Sequence, residues 1–186
     1  MGRWEPNARG RLEQAALELY GERGFEQTTV AEIAKRAGLT ERTFFRHFAD
    51  KREVLFAASG QLEDLLVRTV IEAPDSTAPI DAVAAALEAG GAALYHERAR
   101  KRHTVIVANA ELRERELVKL ASLASALAEA LRRRGVTDLA AQLTAEAGIA
   151  AFKVAFEHWV NEPDEKDLPQ LIRESFDELK AVTAGK

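Results

Sequence analysis

Eleven consecutive residues, Gly38 to Phe48, place three phenylalanines beside two arginines and a histidine. In a helix, Phe44 and Phe48 share one face because they are four residues apart, and that face can pack against other apolar side chains. The opposite face then carries guanidinium groups, which can donate bidentate hydrogen bonds to guanine O6 and N7, and a threonine methyl that can touch thymine. The spacing therefore predicts a helix with one anchored face and one face able to contact bases. The residues left for that second face are Arg42, Thr43, Arg46 and His47.

Signals for helix starts and stops surround this stretch. Thr29 and Glu32 have the spacing of a capping box, which predicts a short helix through Arg36. Gly38 ends that helix, and Thr40 can cap a second one running to about residue 47. Two short helices joined by a glycine-containing turn form a helix-turn-helix, whose second helix enters the major groove of DNA.

Hydroxyls, backbone N–H groups and cations near helix starts can also hold phosphates. On spacing alone, however, a short amphipathic helix flanked by glycine and charges also occurs in helical proteins that do not bind DNA. A helical adaptor or ligand-binding protein with a purely structural aromatic segment therefore stays open as the alternative. The candidate phosphate contacts are Thr28, Thr29, Thr40, His47 and Lys51.

Charge and composition narrow the class of protein. The chain has 186 residues and a net charge of −4, whereas residues 28–52 carry six basic and three acidic side chains, so a basic segment sits in an acidic chain. This asymmetry indicates a polyanionic partner for that segment. The absence of cysteine excludes disulfides and thiolate sites and is typical of the cytoplasm. No signal-peptide segment and no run of about 18 apolar residues is evident, so the sequence predicts a soluble cytoplasmic protein without a membrane partner.

Motifs for enzyme chemistry are missing from the sequence. The four histidines lack metal-ligand spacing, and neither a glycine-rich phosphate loop nor a Gly-x-Ser-x-Gly elbow occurs. The sequence therefore predicts a protein that is not an enzyme, with no catalytic residues, no metal site and no cofactor.

Helical periodicity extends along almost the whole chain, so the predicted fold class is all-α. Two prolines between residues 73 and 79 interrupt the helices and mark a linker. A long helix is predicted from about residue 51 to 72. The later predicted helices span about 79–97, 100–109, 111–134, 138–161 and 168–183.

From Arg9 to Leu55 the chain resembles the TetR family of bacterial transcription regulators. The resemblance rests on Tyr20-Gly-Glu-Arg-Gly-Phe25 followed by TTVAEIAKRAGLTERTFFRHFADKREVL. It implies an N-terminal three-helix DNA-binding domain at residues 1–50, joined by a long helix to a C-terminal bundle at 51–186 for effector binding and dimerisation. It also implies a homodimeric repressor on a palindromic operator, released by a small effector, although ligand-enhanced binding would use the same parts.

The resemblance also assigns positions of this sequence to DNA contacts. It implies base or backbone contacts for Glu41, Arg42, Thr43, Phe45 and Arg46, and phosphate contacts for Thr29, Thr40, His47 and Lys51. Phe45 departs from the family pattern, which commonly has a tyrosine that reaches a phosphate. Its phenyl ring can pack against sugars or a thymine methyl, or turn inward as part of the core.

The C-terminal part carries no motif of similar specificity. Apolar residues predominate among the candidate effector contacts, so a hydrophobic effector is expected, although each such residue is more often plain core than a ligand contact. The glycine pair at 90 and 91 indicates a kink, close helix packing or room for a ligand. The candidate pocket residues are Leu62, Leu66, Val70, Leu94, Tyr95, His103, Val107, Phe152, Phe156 and Trp159. For a dimer interface the candidates are Ala147 to Ala155 together with Leu168, Leu171, Ile172, Phe176 and Leu179.

Overall fold

The computed structural model describes residues 7–162 and 166–185, and within these ranges it contains helices and no strand. The predicted all-α class is confirmed. The elements are α1 (Ala8–Arg23), α2 (Val30–Arg36), α3 (Glu41–His47), a 3-10 helix (Glu53–Phe56), α4 (Ser59–Glu72), α5 (Pro79–Ala92), α6 (His96–Val107), α7 (Ala110–Arg133), α8 (Asp138–Asn161) and α9 (Leu168–Thr183).

The predicted long helix from residue 51 to 72 is divided in the structure. Asp50 Oδ1 accepts hydrogen bonds from the backbone N–H groups of Arg52, at 2.8 Å, and Glu53, at 3.2 Å. The 3-10 helix follows and buries three consecutive apolar side chains, and α4 begins only at Ser59. The prediction of one continuous helix is therefore wrong at this point.

Two compact units make up the chain. The first unit comprises residues up to Ala58 together with Lys101–Glu116, and the second comprises Ser59–Arg100 together with the chain from Leu117 onward. This division differs from the predicted boundary at residue 50, because an internal segment from far along the sequence completes the core of the first unit.

Apolar and ionic contacts hold the segment 101–116 inside the first unit. Its buried side chains Val105, Ile106 and Leu112 belong to the same core as the aromatic residues of α1 and α3. Arg102 Nε donates to the carbonyl oxygen of Leu55 at 2.7 Å, and its guanidinium lies 5.0 Å from the centre of the Phe56 ring. Burial lowers the pKa of this arginine.

In the second unit, α5 packs against α4, α8 and α9. A Cβ atom added at Gly90 would lie 2.8 Å from Leu62 Cδ1, and one added at Gly91 would lie 2.8 Å from Ile172 Cδ1. The glycine pair therefore serves close helix packing, one of the three uses that the sequence left open.

Helix α8 is long and apolar enough to cross a membrane by length and composition alone, which the sequence analysis did not anticipate. About 33% of this apolar stretch is buried within the chain. Ala145, Ile149 and Trp159 of α8 lie in the core of the second unit. The same helix also carries exposed apolar side chains at Leu139 and Leu143.

Candidate nucleic-acid interface

Hydrogen bonds between residues three apart in sequence cap the N-termini of the two helices of the helix-turn-helix. The Thr29 side chain accepts from the backbone N–H of Glu32, and the Glu32 carboxylate accepts from the backbone N–H of Thr29 at 2.9 Å. The hydrogen bonds that this carboxylate accepts from the backbone N–H and from the hydroxyl of Thr29 lower the pKa of Glu32. Gly38 has a φ of 67°, and Thr40 then caps α3 by accepting from the Thr43 backbone N–H at 3.2 Å. The predicted helix starts and the turn are therefore present.

The inner face of α3 is anchored as its spacing predicts. Phe44 is fully buried, and its ring centre lies 5.5 Å from that of Phe48, which is also buried. Ile33 of α2 belongs to the same core. Because these side chains define the inward face, the orientation of the outward face is determined too.

Two cations occupy that outward face. Arg42 and Arg46 are exposed, and neither makes a hydrogen bond or ion pair with the residues that the structure describes. The surface arginines of α1 and α2 differ, since Arg23 pairs with Glu32 at 2.8 Å and Arg36 pairs with Glu22 at 2.8 Å. The arginines of α3 are therefore free to donate to another molecule.

The other predicted base contacts of α3 also lie at its surface. Glu41 is exposed, and Phe45 is 56% exposed, so the ring has not turned inward. Thr43 is half-buried, with its Oγ1 atom 3.0 Å from that of Thr40. The surface of α3 thus combines positive charge, one carboxylate and one apolar ring.

Three predicted phosphate contacts are in unfavourable positions. Thr28 is only 1% exposed, and its hydroxyl donates to the carbonyl oxygen of Gly24 at 2.8 Å, so it is not available to DNA. His47 is half-buried, and its Nε2 atom is buried without a partner among the described residues. Thr29 and Thr40 are exposed at the starts of α2 and α3.

The third unfavourable position is Lys51, whose ammonium group is already engaged within the protein. Its Nζ atom donates to the carbonyl oxygens of Phe25, at 2.9 Å, and Thr28, at 3.0 Å, and lies 4.3 Å from the centre of the Phe25 ring. The Tyr20 hydroxyl donates to the Lys51 carbonyl oxygen at 2.6 Å, and burial raises the pKa of that tyrosine. Lys51 therefore connects the loop after α1 to the chain that follows α3.

Replacing Lys51 by alanine is expected to lower the free energy of unfolding by roughly 1.5 to 3 kcal/mol, because hydrogen bonds from a charged group are lost. The salt dependence of DNA binding should stay unchanged, whereas loss of a phosphate contact would reduce its slope by about one. Thermal unfolding and a salt series of DNA binding measure the two quantities. Lys35→Ala is the control, because the Lys35 side chain is exposed and makes no hydrogen bond or ion pair with the described residues. Unchanged stability with a reduced salt slope for Lys51→Ala would instead assign this lysine to a phosphate.

The predicted effector residues divide into two groups. Tyr95 is 81% exposed in the loop that follows α5, which ends at Ala92. Val107 is also exposed, and His103 and Val107 belong to the first unit, which the chain enters at Lys101. The assignment of these three residues to an effector site stays a prediction. Seven others belong to or pack against the core of the second unit: Leu62, Leu66, Val70, Leu94, Phe152, Phe156 and Trp159.

An aromatic row follows α8 within this group. The ring centres of Phe152 and Phe156 are 5.9 Å apart, and those of Phe156 and Trp159 are 6.0 Å apart. His96, which the sequence analysis did not select, packs edge-on against Trp159 and places Nε2 2.9 Å from the Trp159 carbonyl oxygen. This contact joins α6 to α8, and no local sequence signal indicates it.

A groove of about 580 Å³ also opens between α8 and α9. Its lining includes the apolar residues Val154 and Leu171 and the acidic residues Glu174 and Glu178. The predicted interface residues Leu168, Ile172 and Phe176 are instead buried in the core of the second unit, so that part of the interface prediction is wrong. These residues form the inward face of the amphipathic helix α9. The spacing of its apolar residues identifies this face, but it does not show whether the same chain or a second copy covers it.

Comparisons with known proteins agree with this geometry. Residues 13–58 match the family described as bacterial regulatory proteins, tetR family, and residues 77–184 match the family described as the MftR C-terminal domain. A protein of Mycobacterium tuberculosis named as the mycofactocin biosynthesis transcriptional regulator MftR is 29% identical, over 97% of this chain and 93% of its own.

Solved structures show the same fold. The complex of triclosan with SmeT, the repressor of a multidrug efflux pump of Stenotrophomonas maltophilia, matches with a TM-score of 0.69 and 25% identity, over 94% of this chain and 90% of that one. The transcriptional regulator FadR of Bacillus subtilis in complex with stearoyl-CoA matches with a TM-score of 0.62 and 20% identity, over 92% and 97% of the two chains.

Proposed function

Since the chain belongs to the TetR family of bacterial regulatory proteins and is a ligand-responsive DNA-binding transcriptional regulator, we propose that it acts as a homodimeric repressor on a palindromic operator. A small apolar effector releases it from that operator. Its place of action is the cytoplasm, where the chromosome lies.

The observation that carries this proposal is the free, exposed pair of arginines on α3. Arg42 and Arg46 are four residues apart on a helix whose opposite face is buried through Phe44 and Phe48. A guanidinium without an internal partner loses little when it turns to a guanine, and each bidentate contact discriminates against the wrong base by roughly 1 to 3 kcal/mol. The capped starts of α2 and α3 supply backbone N–H groups for the flanking phosphates.

Exposed apolar side chains on α8 and α9 support the homodimer. Leu139, Leu143 and Val154 lie on one stripe of α8, and Val182 is exposed on α9. Burial of each such side chain against a second copy would contribute about 1.5 to 3 kcal/mol. A two-fold dimer also presents two recognition helices roughly 34 to 36 Å apart, which a palindromic operator requires. We therefore assign the partner interface to α8 and α9.

Leu143→Glu is expected to convert the dimer into a folded monomer, because it places a charge within the apolar stripe where it would be buried on association. Leu143 is 61% exposed within one chain, so the fold of the monomer should tolerate the change. Sedimentation velocity measures the association state, and circular dichroism measures the helix content. Gln142→Glu adds the same charge beside the stripe and should stay dimeric. A dimeric Leu143→Glu variant would place the interface elsewhere.

The effector proposal rests on the apolar and aromatic residues between the helices of the second unit. The row Phe152, Phe156 and Trp159 provides large apolar surfaces in or against the same core that contains Leu66 of α4. Such a lining suits a lipid, an acyl chain or an aromatic compound. The SmeT and FadR structures named above contain triclosan and stearoyl-CoA, which have this kind of apolar surface. A thermal-shift screen in which only polar metabolites stabilise the protein would contradict an apolar effector.

Fluorescence anisotropy on the DNA upstream of the coding sequence tests the function, with excess nonspecific DNA and a salt series. We expect tight, competitor-resistant binding that weakens steeply with salt, because several phosphates are neutralised. Ligands found by thermal shift are then added, and an effector should release the DNA to the extent that it binds the free protein more tightly than the DNA-bound protein. If competitor abolishes all binding there, selection from random DNA provides the second measurement. Failure to enrich any sequence would contradict specific DNA recognition.

A further inference from the structure

We propose that Phe45 determines operator specificity by packing its ring against the C5-methyl group of a thymine in the major groove. This inference rests on the proposed function, because it assigns one side chain of the same surface to one chemical group of the operator. The thymine is expected about one base step from a guanine contacted by Arg42 or Arg46, since the three side chains lie within two turns of α3.

The exposure of Phe45 is the first observation. The ring is 56% exposed, whereas Phe44 on the same helix and Phe48 at its C-cap are buried. Those two already anchor α3, so the fold does not need the third ring. An exposed aromatic side chain beside two uncommitted arginines leaves apolar surface in contact with water until a ligand covers it.

The second observation is that the Phe45 ring packs against the buried ring of Phe44. The rings of Phe44 and Phe45 meet edge to face, with centres 5.5 Å apart and an angle of 82° between their planes. Phe44 is itself fully buried in the core. This contact limits the orientations of the Phe45 ring before DNA arrives, so less conformational entropy is lost on binding.

The chemistry of the major groove identifies the partner of such a ring. A phenyl group has no hydrogen-bond donor and cannot hold a phosphate through a hydrogen bond. The thymine methyl is the apolar group that base edges present in that groove, and phenylalanine is one of the side chains that contact it. The same methyl is absent from uracil and from cytosine, so a ring placed there discriminates between bases.

The test uses the full-length protein on an operator obtained by selection from random DNA, with each thymine replaced in turn by uracil, which removes only the methyl group. For the wild type, replacement at one position in each half-site should weaken binding about fourfold per methyl, the factor expected for one buried CH₂-sized group. Phe45→Ala should bind the thymine operator more weakly and lose nothing further on uracil. Phe45→Leu, which keeps apolar surface, should retain part of the thymine preference.

Phe45→Tyr separates methyl recognition from a backbone contact. The added hydroxyl should leave the thymine preference in place if the ring faces the base edge. Tighter binding to all sequences without any thymine preference would assign this position to a phosphate and overturn the inference. Thermal unfolding of each variant should match the wild type, because the ring is exposed.

Two further results distinguish failure of the Phe45 inference from failure of the proposed function. If the wild type binds a selected operator in the presence of competitor but uracil weakens wild type and Phe45→Ala equally at every thymine, the inference is wrong and the proposed function stands. If selection enriches no sequence at all, the proposed function and this inference fail together.

Discussion

A fragment that ends at Ala58 is expected to be largely unfolded in isolation, even though it contains the complete helix-turn-helix. Val105, Ile106 and Leu112 belong to the core of the first unit but would be missing from the fragment. Truncation of a single buried isoleucine or leucine to alanine costs about 2 to 5 kcal/mol, and whole domains are stable by only about 5 to 15 kcal/mol. The missing side chains therefore account for a large part of the stability of this unit.

Circular dichroism and thermal unfolding of the fragment measure this effect. Joining residues 101–116 to the same fragment through a flexible Gly/Ser linker should restore a cooperative transition, because the internal segment supplies the apolar side chains and the Arg102 hydrogen bond to Leu55. Equal cooperative unfolding with and without the segment would show that the helix-turn-helix is autonomous.

A pair of adjacent residues provides a matched test in the full-length chain. Ile106 is fully buried, whereas its neighbour Val107 is exposed. Ile106→Ala should lower the free energy of unfolding by about 2 to 5 kcal/mol, and Val107→Ala should change it by less than about 0.5 kcal/mol. Similar effects of the two substitutions would contradict the assignment of this segment to the core.

Replacing Arg42 or Arg46 by alanine is expected to weaken binding to the operator by roughly 1 to 3 kcal/mol for each contact that is lost, and in a dimer each substitution removes two contacts. The double variant should lose specific binding altogether. Anisotropy at a single fixed salt concentration measures these losses. Thermal stability should remain, because both side chains are exposed and make no hydrogen bond or ion pair with the described part of the chain.

Arg36→Ala is the matched control for these variants. Arg36 is also an exposed arginine of the helix-turn-helix, but its guanidinium is paired with the carboxylates of Glu22 and Glu18. Its removal should leave operator affinity almost unchanged. An equal loss for all three arginine variants would indicate a general electrostatic effect rather than base recognition.

Modified guanines identify the atoms that the arginines contact. Replacing a contacted guanine by 7-deazaguanine removes the N7 acceptor and should weaken binding of the wild type. The variant that lacks the corresponding arginine should show no further loss on the modified DNA. Equal losses for wild type and variant at every guanine would exclude the predicted pairing.

The helix-turn-helix could be derived from the sequence because its signals act over three or four residues. Thr29 and Glu32 close a capping box, Gly38 takes a positive φ that favours glycine, and Phe44 and Phe48 repeat at the period of a helix. Each of these signals pairs groups that are already neighbours along the chain. The free position of Arg42 and Arg46 then follows from the burial of the opposite face.

Contacts between segments that are distant in sequence determine the features that the sequence did not predict. Thr28 and Lys51 have side chains suited to phosphates, but one is buried and the other donates to carbonyl oxygens more than 20 residues away in sequence. The helical period of α9 identifies an apolar face without identifying what covers it, and the structure places Phe176 in the core of its own unit. No local sequence pattern in residues 101–116 indicates that this segment packs in the first unit. Burial depends on which helices pack against each other in the tertiary structure. Local spacing of apolar residues does not specify those contacts.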